Sequence, residues 1–229
     1  MQRRRAIVVP IIIFLNVIVY LMWLAVDGSR HSTVPWSTYL PFLNLEFMYE
    51  HFLVSWTALA EGRYWVVITS VFSHNMFWHI LINMFVLRSF GSILELVLGR
   101  MLFLQFYLIA GIVSSLCHAI ISAFILGTPD LPALGASGSI AGLVLVFALV
   151  FPREKILLFG VIPIPALWGA IAFIALDMFG LFEQARGSGL PIGHGAHLGG
   201  AATGIVFFFA FLRPRMRRKQ ALAKAEAHS

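Results

Sequence analysis

The stretch LGASGSIAG, Leu134 to Gly142, puts a serine among small residues at the point where an apolar helix begins. A hydroxyl in lipid must be hidden or hydrogen-bonded, because a polar group without a partner is costly in hydrocarbon. Downstream, the apolar run from Ser137 reaches Phe151, where Pro152 stops it. About 15 residues at about 1.5 Å each reach about 22 Å, short of the roughly 30 Å of a hydrocarbon core. One end of this helix must therefore stop inside the membrane. With the FPREK segment, Phe151 to Lys155, at the cytoplasmic surface, Ser137 lies about 8 Å below the opposite one. The preceding loop GTPDLPALGA, Gly127 to Ala136, then dips below the membrane surface, which is tolerable only where protein surrounds it or water fills a cavity. Ser137 is thus expected at the floor of a wet pocket, at a helix N-terminus whose backbone N–H groups are free.

Composition agrees with a membrane setting. The 229 residues are 60% hydrophobic and 11% charged, against roughly 25% charged in soluble domains, and the mean hydropathy is +0.90. The expected fold class is all-α: a polytopic membrane protein with six transmembrane helices in one bundle and a short fourth helix. A single domain, 1–229, is expected. Cys117 is the single cysteine, so no internal disulfide and no cysteine-based zinc site can form. The six apolar runs are Ile7 to Val26, Met76 to Val97, Met101 to Leu126, Ser137 to Phe151, Ile156 to Leu181 and Gly195 to Leu212. The first follows MQRRR but is longer than a signal-peptide core and closes without a small-x-small cleavage site, which predicts a retained helix. Between the first two runs lies a long segment, about residues 27–73, whose Trp36, Pro41, Trp56 and Trp65 suit an interfacial, partly embedded loop.

Charge orients the bundle. Arg3, Arg4, Arg5, Arg88, Arg100, Arg153, Lys155 and the basic tail of about residues 213–229 fall on one side if six helices alternate. The other side receives Arg30, Arg63 and Arg186 with Asp27, Glu46, Glu50, Glu61, Asp130 and Glu183. The positive-inside rule then places both termini in the cytoplasm and the serine pocket on the extracytoplasmic side. A net charge of +6 does not point to nucleic acid, because the basic residues flank membrane spans without any binding motif; anionic lipid head groups account for them. No internal repeat is visible, which weakens a transporter built from inverted repeats.

Two more polar groups share the depth of Ser137. In FSHNMFWHILINM, His79 and Asn83 are four apart on one helix face, with His74 near its start. In GHGAHLGGAATG, His197 opens the last span and Gly200 and Gly204 follow on its face as a GxxxG pair; Gly138 and Gly142 form another behind Ser137. Two small-residue stripes, one behind a serine and one behind a histidine, would bring hydroxyl and imidazole within hydrogen-bond reach.

GASG at 135 to 138, HILIN at 79 to 83 and AHLGGAATG at 196 to 204 resemble the GxSG, HxxxN and AHxxGxxxG motifs of the rhomboid intramembrane serine proteases, in the family's order and on the expected second, fourth and sixth helices. The resemblance implies a Ser137 nucleophile and a His197 general base, with His79, Asn83 and the Ser137 N–H stabilising the oxyanion. It implies that Gly135, Gly138, Gly142, His194, Gly200 and Gly204 line or support the site, with His194 where Asn or another polar residue is expected. It implies transmembrane protein substrates and neither cofactor nor metal. Where the family's long loop carries a tryptophan-arginine pair, this chain has RYWVV, Arg63 to Val67, a departure that touches loop docking and not the nucleophile. The minimal six-helix form in a prokaryotic plasma membrane is expected; substrate sequence and oligomeric state are not readable.

The chemistry stands beside the resemblance. A serine hydroxyl is a weak nucleophile until a positioned base takes its proton, which neutral imidazole does near pH 7. No Asp or Glu reads as a third member, since Asp130, Asp177 and Glu183 lie in loops or on another helix; packing or a ring is expected to orient the base. The fifth span, beside the loop Phe179 to Gly193, is the candidate gate. Taken alone, GASGSIAG reads as helix packing, His79 with Asn83 as a polar clamp, Glu95 as an ion pair with Arg88 and Arg100, Phe208 as lipid-facing bulk, and His31, His51 and His118 as interfacial. Two rival functions remain: a metal-dependent enzyme using His74, His79, His194 and His197, which lacks HExxH and carboxylate ligands, and a non-catalytic channel, transporter or client-binding relative that uses the polar cavity only to recognise transmembrane helices.

Overall fold

The computed structural model describes residues 5–28, 43–158 and 161–226; Arg3, Arg4, Arg30, His31, Trp36 and Pro41 lie outside them. In chain order the helices are α1 (Val8–Gly28), α2 (Leu45–Phe52), α3 (Trp56–Ala60), α4 (Val66–Thr69), α5 (Phe77–Val86), α6 (Ser92–Leu98), α7 (Arg100–Phe124) and α8 (Ser137–Val150). A hairpin of β1 (Lys155–Leu158) and β2 (Ile162–Pro165) follows, then α9 (Ala166–Ala185), α10 (His194–Phe207) and α11 (Arg213–Glu226). Wider π-helical turns at Leu87–Gly91 and Phe208–Leu212 join α5 to α6 and α10 to α11 into continuous rods. Among the described residues, five helices are long and apolar enough to cross a membrane: Val8–Asp27, Phe77–Leu98, Arg100–Phe124, Ala166–Ala185 and His194–Glu226. The shorter apolar helix Ser137–Val150 stands apart from these; its 14 residues reach about 21 Å.

Helix α8 lies at the centre. Gly138 to Leu143 and Leu145 to Ala148 are buried, as suits a helix apolar on every side. Phe103, Phe106, Tyr107 and Ala110 of α7, Ala166 and Ala170 of α9 and Ala201 of α10 join it in one core with Leu87 and Leu94. The contact with α10 is the tightest. A Cβ on Gly142 would lie 2.8 Å from the Gly200 carbonyl oxygen, one on Gly204 2.6 Å from that of Gly142, and one on Gly200 would overlap the Gly138 carbonyl. Only hydrogen at these positions lets the two backbones meet.

Four sequence expectations change, the fourth at His118. Ile156 to Leu158 and Ile162 to Pro165 do not open the fifth span: Ile156 pairs with Ile164 and Leu157 with Pro163 in the hairpin, and helix starts only at Ala166. Pro163 and Pro165 lack the N–H a helix interior needs, whereas Pro165 is well suited just before a helix start. Glu95 is not held by Arg88 and Arg100. Its carboxylate accepts the N–H groups of Ile7 (2.7 Å), Val8 (2.9 Å) and Val9 (2.9 Å), neutralising the open amides at the start of α1. Phe208 is 9% exposed and belongs to the core, so the bulk facing outward is carried by Val206, Phe209 and Phe211. The basic tail is helical as far as Glu226, with Arg213 and Arg215 over the rings of Phe209 and Phe211.

The described part of the long interfacial segment folds as short capped helices. Asn44 accepts the Phe47 N–H and Ser55 the Ala58 N–H, which starts α2 and α3. This segment clasps the loop leading to Ser137, because Val54 and Ala133 exchange backbone hydrogen bonds at 3.0 and 2.8 Å and the Gly135 N–H donates to the Ser70 carbonyl at 2.9 Å. His118, read as interfacial, is instead buried on α7, where its Nε2–H donates to the Leu131 carbonyl at 2.9 Å. The irregular backbone of this loop is thus hydrogen-bonded from three sides, as burial requires.

Candidate active site

Ser137 is the first residue of α8, half-buried. The N–H groups of Ser137, Gly138 and Ser139 have no backbone acceptor among the described residues, and the first closed turn is Ile140 to Ala136 at 3.0 Å. Three amides therefore point out of the helix start, the arrangement that attracts developing negative charge. Ser139 donates its own hydroxyl to the Tyr107 carbonyl at 2.8 Å, which keys α8 to α7 below the site.

His197 sits on the first turn of α10, half-buried. Ser137 Oγ and His197 Nε2 are 2.9 Å apart, a hydrogen bond between residues 60 positions distant. The glycine stripe makes the distance possible: the α8 and α10 backbones touch one turn below, so two short side chains can meet at the top. Phe173 of α9 lies against the imidazole with ring centroids 5.6 Å apart.

The carboxylate missing from the sequence reading is Asp177. Its Oδ1 accepts from His197 Nδ1 at 3.0 Å and from His194 Nδ1 at 2.7 Å, and its side chain is 5% exposed. Being on another helix did not exclude it, because α9 carries Phe173, Asp177 and Gly180 along one face, at spacings of four and three, and turns that face to α10. A signal was available: an acidic residue in mid-span of an apolar helix is a functional-site hypothesis in its own right. His194 is buried and packs where a Cβ of Gly180 would otherwise be.

Asn83 and His79 stand on α5. Asn83 is 6% exposed and donates one amide hydrogen to the His79 carbonyl at 2.8 Å, leaving the second unassigned among the described residues. The His79 ring meets Gly135, whose φ of +124° suits only a glycine; a Cβ there would come 2.7 Å from His79 Cε1. His74, before α5, stacks edge-on against His79 at 4.8 Å and accepts the Ala136 N–H at 3.3 Å through Nε2. Burial, helped by the charge of His79 nearby, lowers its pKa to about 3, so the neutral ring that serves as acceptor is the one present. Gly138 packs on Ser114 of α7 and Gly142 on Gly200. Among the described residues no three His, Cys, Asp or Glu side chains are grouped to hold a metal ion.

The arrangement offers a hydroxyl against an imidazole, the imidazole against a carboxylate, and open amides at a helix start. Comparison with known proteins places it. Rhomboid protein 1, mitochondrial, of Saccharomyces cerevisiae is 38% identical over 173 residues, 69% of this chain and 46% of that protein. RHOMBOID-like protein 12, mitochondrial, of Arabidopsis thaliana is 30% identical over 186 residues, 76% and 54%. A rhomboid relative in Bacillus subtilis is 30% identical over 149 residues, 64% and 66%. The chain spans about half the length of the first two. Residues 61–214 match the model of the Rhomboid domain, a stretch that contains every residue of the site, and the chain belongs to the rhomboid family.

Proposed function

We propose that this chain is an intramembrane serine endopeptidase that hydrolyses peptide bonds in or near transmembrane segments of membrane proteins. The observation that carries the reading is the 2.9 Å contact between Ser137 Oγ and His197 Nε2 at the open N-terminus of a short apolar helix. His197 takes the Ser137 proton as Oγ adds to the scissile carbonyl carbon. The oxyanion is met by the Ser137 N–H, the free amide hydrogen of Asn83 and the His79 ring. His197 then protonates the departing amine, leaving an acyl-enzyme, and water attacks the ester by the same route in reverse.

In this reading the five long spans and α8 form a six-helix membrane bundle. Both termini lie on the basic cytoplasmic side, and the site opens outward. A prokaryotic plasma membrane is our placement, supported by the charge distribution and the relative in Bacillus subtilis; the relatives named mitochondrial make a mitochondrial membrane the alternative to test by fractionation.

The test is labelling with a fluorophosphonate probe and cleavage of a model transmembrane substrate by the purified protein in detergent. Wild type should be labelled and should cleave, chelator should change neither, and Ser137→Ala should abolish both. Absence of labelling and cleavage in a folded wild type would favour a non-catalytic helix-binding protein, whereas chelator-sensitive cleavage would favour a metal enzyme.

A further inference from the structure

Two imidazoles of α10 converge on one oxygen of one carboxylate of α9. Asp177 Oδ1 accepts from His194 Nδ1 at 2.7 Å and His197 Nδ1 at 3.0 Å, while Oδ2 is buried without a partner among the described residues. An ionised carboxylate only accepts, so both Nδ1 atoms carry hydrogen, and His197 presents the bare Nε2 lone pair to Ser137 Oγ. That is the tautomer a general base needs. The carboxylate also lies where it offsets the positive charge that the ring acquires on taking the serine proton.

Each partner of Asp177 is itself confined. The His194 ring is wedged at Gly180, one turn beyond Asp177, where any side chain would collide with it. With its Nδ1–H on Oδ1, His194 pins the rotation of the carboxylate, and Phe173, one turn before, covers the His197 ring from the same helix face. No other element supplies a carboxylate to either ring among the described residues.

We propose that Asp177 is a positioning residue that completes a Ser137–His197–Asp177 triad in this chain, with His194 as the clamp that holds the carboxylate in register. The inference rests on Ser137 and His197 being nucleophile and base. It follows that α9 does more than wall the site: the base is correctly set only while α9 is docked on α10.

The test uses the full chain in detergent, with Asp177→Asn and Asp177→Ala compared for kcat and KM on a transmembrane substrate, for the rate of fluorophosphonate labelling, and for thermal unfolding. Loss of an orienting carboxylate lowers kcat by up to about 10⁴-fold. Because Phe173 still packs on His197, a fall of about 10²-fold in kcat is expected for Asp177→Ala, with KM changed by less than about threefold. Recovery of kcat in Asp177→Asn would assign the effect to the hydrogen bond, and equal loss would assign it to charge; both support positioning. A second readout is the low-field imidazole N–H proton of His197, expected in Ser137→Ala and absent in Asp177→Ala. The proposal is overturned if both Asp177 variants, folded, keep kcat within about threefold of wild type. A wild type that neither cleaves nor labels sinks the protease reading instead, and the low-field proton still reports on the Asp177 contact.

Discussion

Single atoms decide the chemistry of this site. Ser137→Ala and His197→Ala should each abolish cleavage while circular dichroism and thermal unfolding stay close to wild type, since both trim polar groups from a half-buried position. Asn83→Ala and His79→Ala remove donors and leave the nucleophile, so kcat should fall by about 10² to 10³ with a smaller change in KM. An unchanged kcat in both would move oxyanion stabilisation onto the backbone amides of Ser137, Gly138 and Ser139. Gly135 should be as sensitive as the donors although it carries no side chain. Its positive φ and the close His79 ring leave no room for a methyl, so Gly135→Ala should lower kcat and should not restore it when paired with a smaller residue at 134. Most of these residues were legible as types at spacings. Asp177 was legible only as an acid in mid-span; its partners were not, because they depend on which way α9 faces, and the apolar residues around it leave that rotation undetermined.

Between helices, the governing contact is α8 against α10. Gly200→Val would drive the side chain into the Gly138 carbonyl and push the His197 end of α10 outward. A displacement of about 1 Å costs about 10²-fold in rate, so cleavage should be lost with Ser137 and His197 intact. Val206→Ala, one to two turns further along α10 at a 62% exposed position, is the matched control and should leave kcat and KM unchanged. Wild-type cleavage by Gly200→Val would mean that the glycine stripe does not position the base. The clamp on α1 is separable from catalysis. Glu95 holds three amides at the start of α1, so Glu95→Ala should lower the unfolding temperature while kcat per folded molecule is retained, and Glu95→Gln should lose less. The hairpin before α9 shows why an apolar run is not a span: Ile156 to Leu158 and Ile162 to Pro165 are as hydrophobic as their neighbours, yet the prolines of the second divert the two into paired strands.

For the whole molecule, the proposed topology and the proposed substrate are tested together. With Cys117 replaced, single cysteines at Ser188 and at Ala225 should react with a membrane-impermeant maleimide from opposite faces of a sealed vesicle; reaction from the same face would contradict the six-helix arrangement. A peptide bond inside a membrane helix is shielded by the helix's own hydrogen bonds, so the segment must unwind before Ser137 can reach it. Replacing helix-weakening residues of a cleaved substrate by Leu should slow cleavage, and an unaltered rate would count against unwinding as a step.

The sequence by itself determined that the chain is a polytopic helical membrane protein, that one helix is too short to cross with its serine at the surface, and that serine, histidine and an HxxxN pair share one depth. These follow from length, hydropathy and helical periodicity, which are local properties and survive without knowledge of the neighbours. It was the tertiary structure that decided which faces meet. Glu95 could have served the arginines beside it and instead caps α1, Phe208 turned inward, and Asp177 reached two histidines on the next helix. In an apolar medium every helix face is nearly as acceptable to lipid as to protein, so rotation is chosen by small-residue contacts and a few buried hydrogen bonds rather than by hydrophobicity, and a linear pattern does not encode that choice.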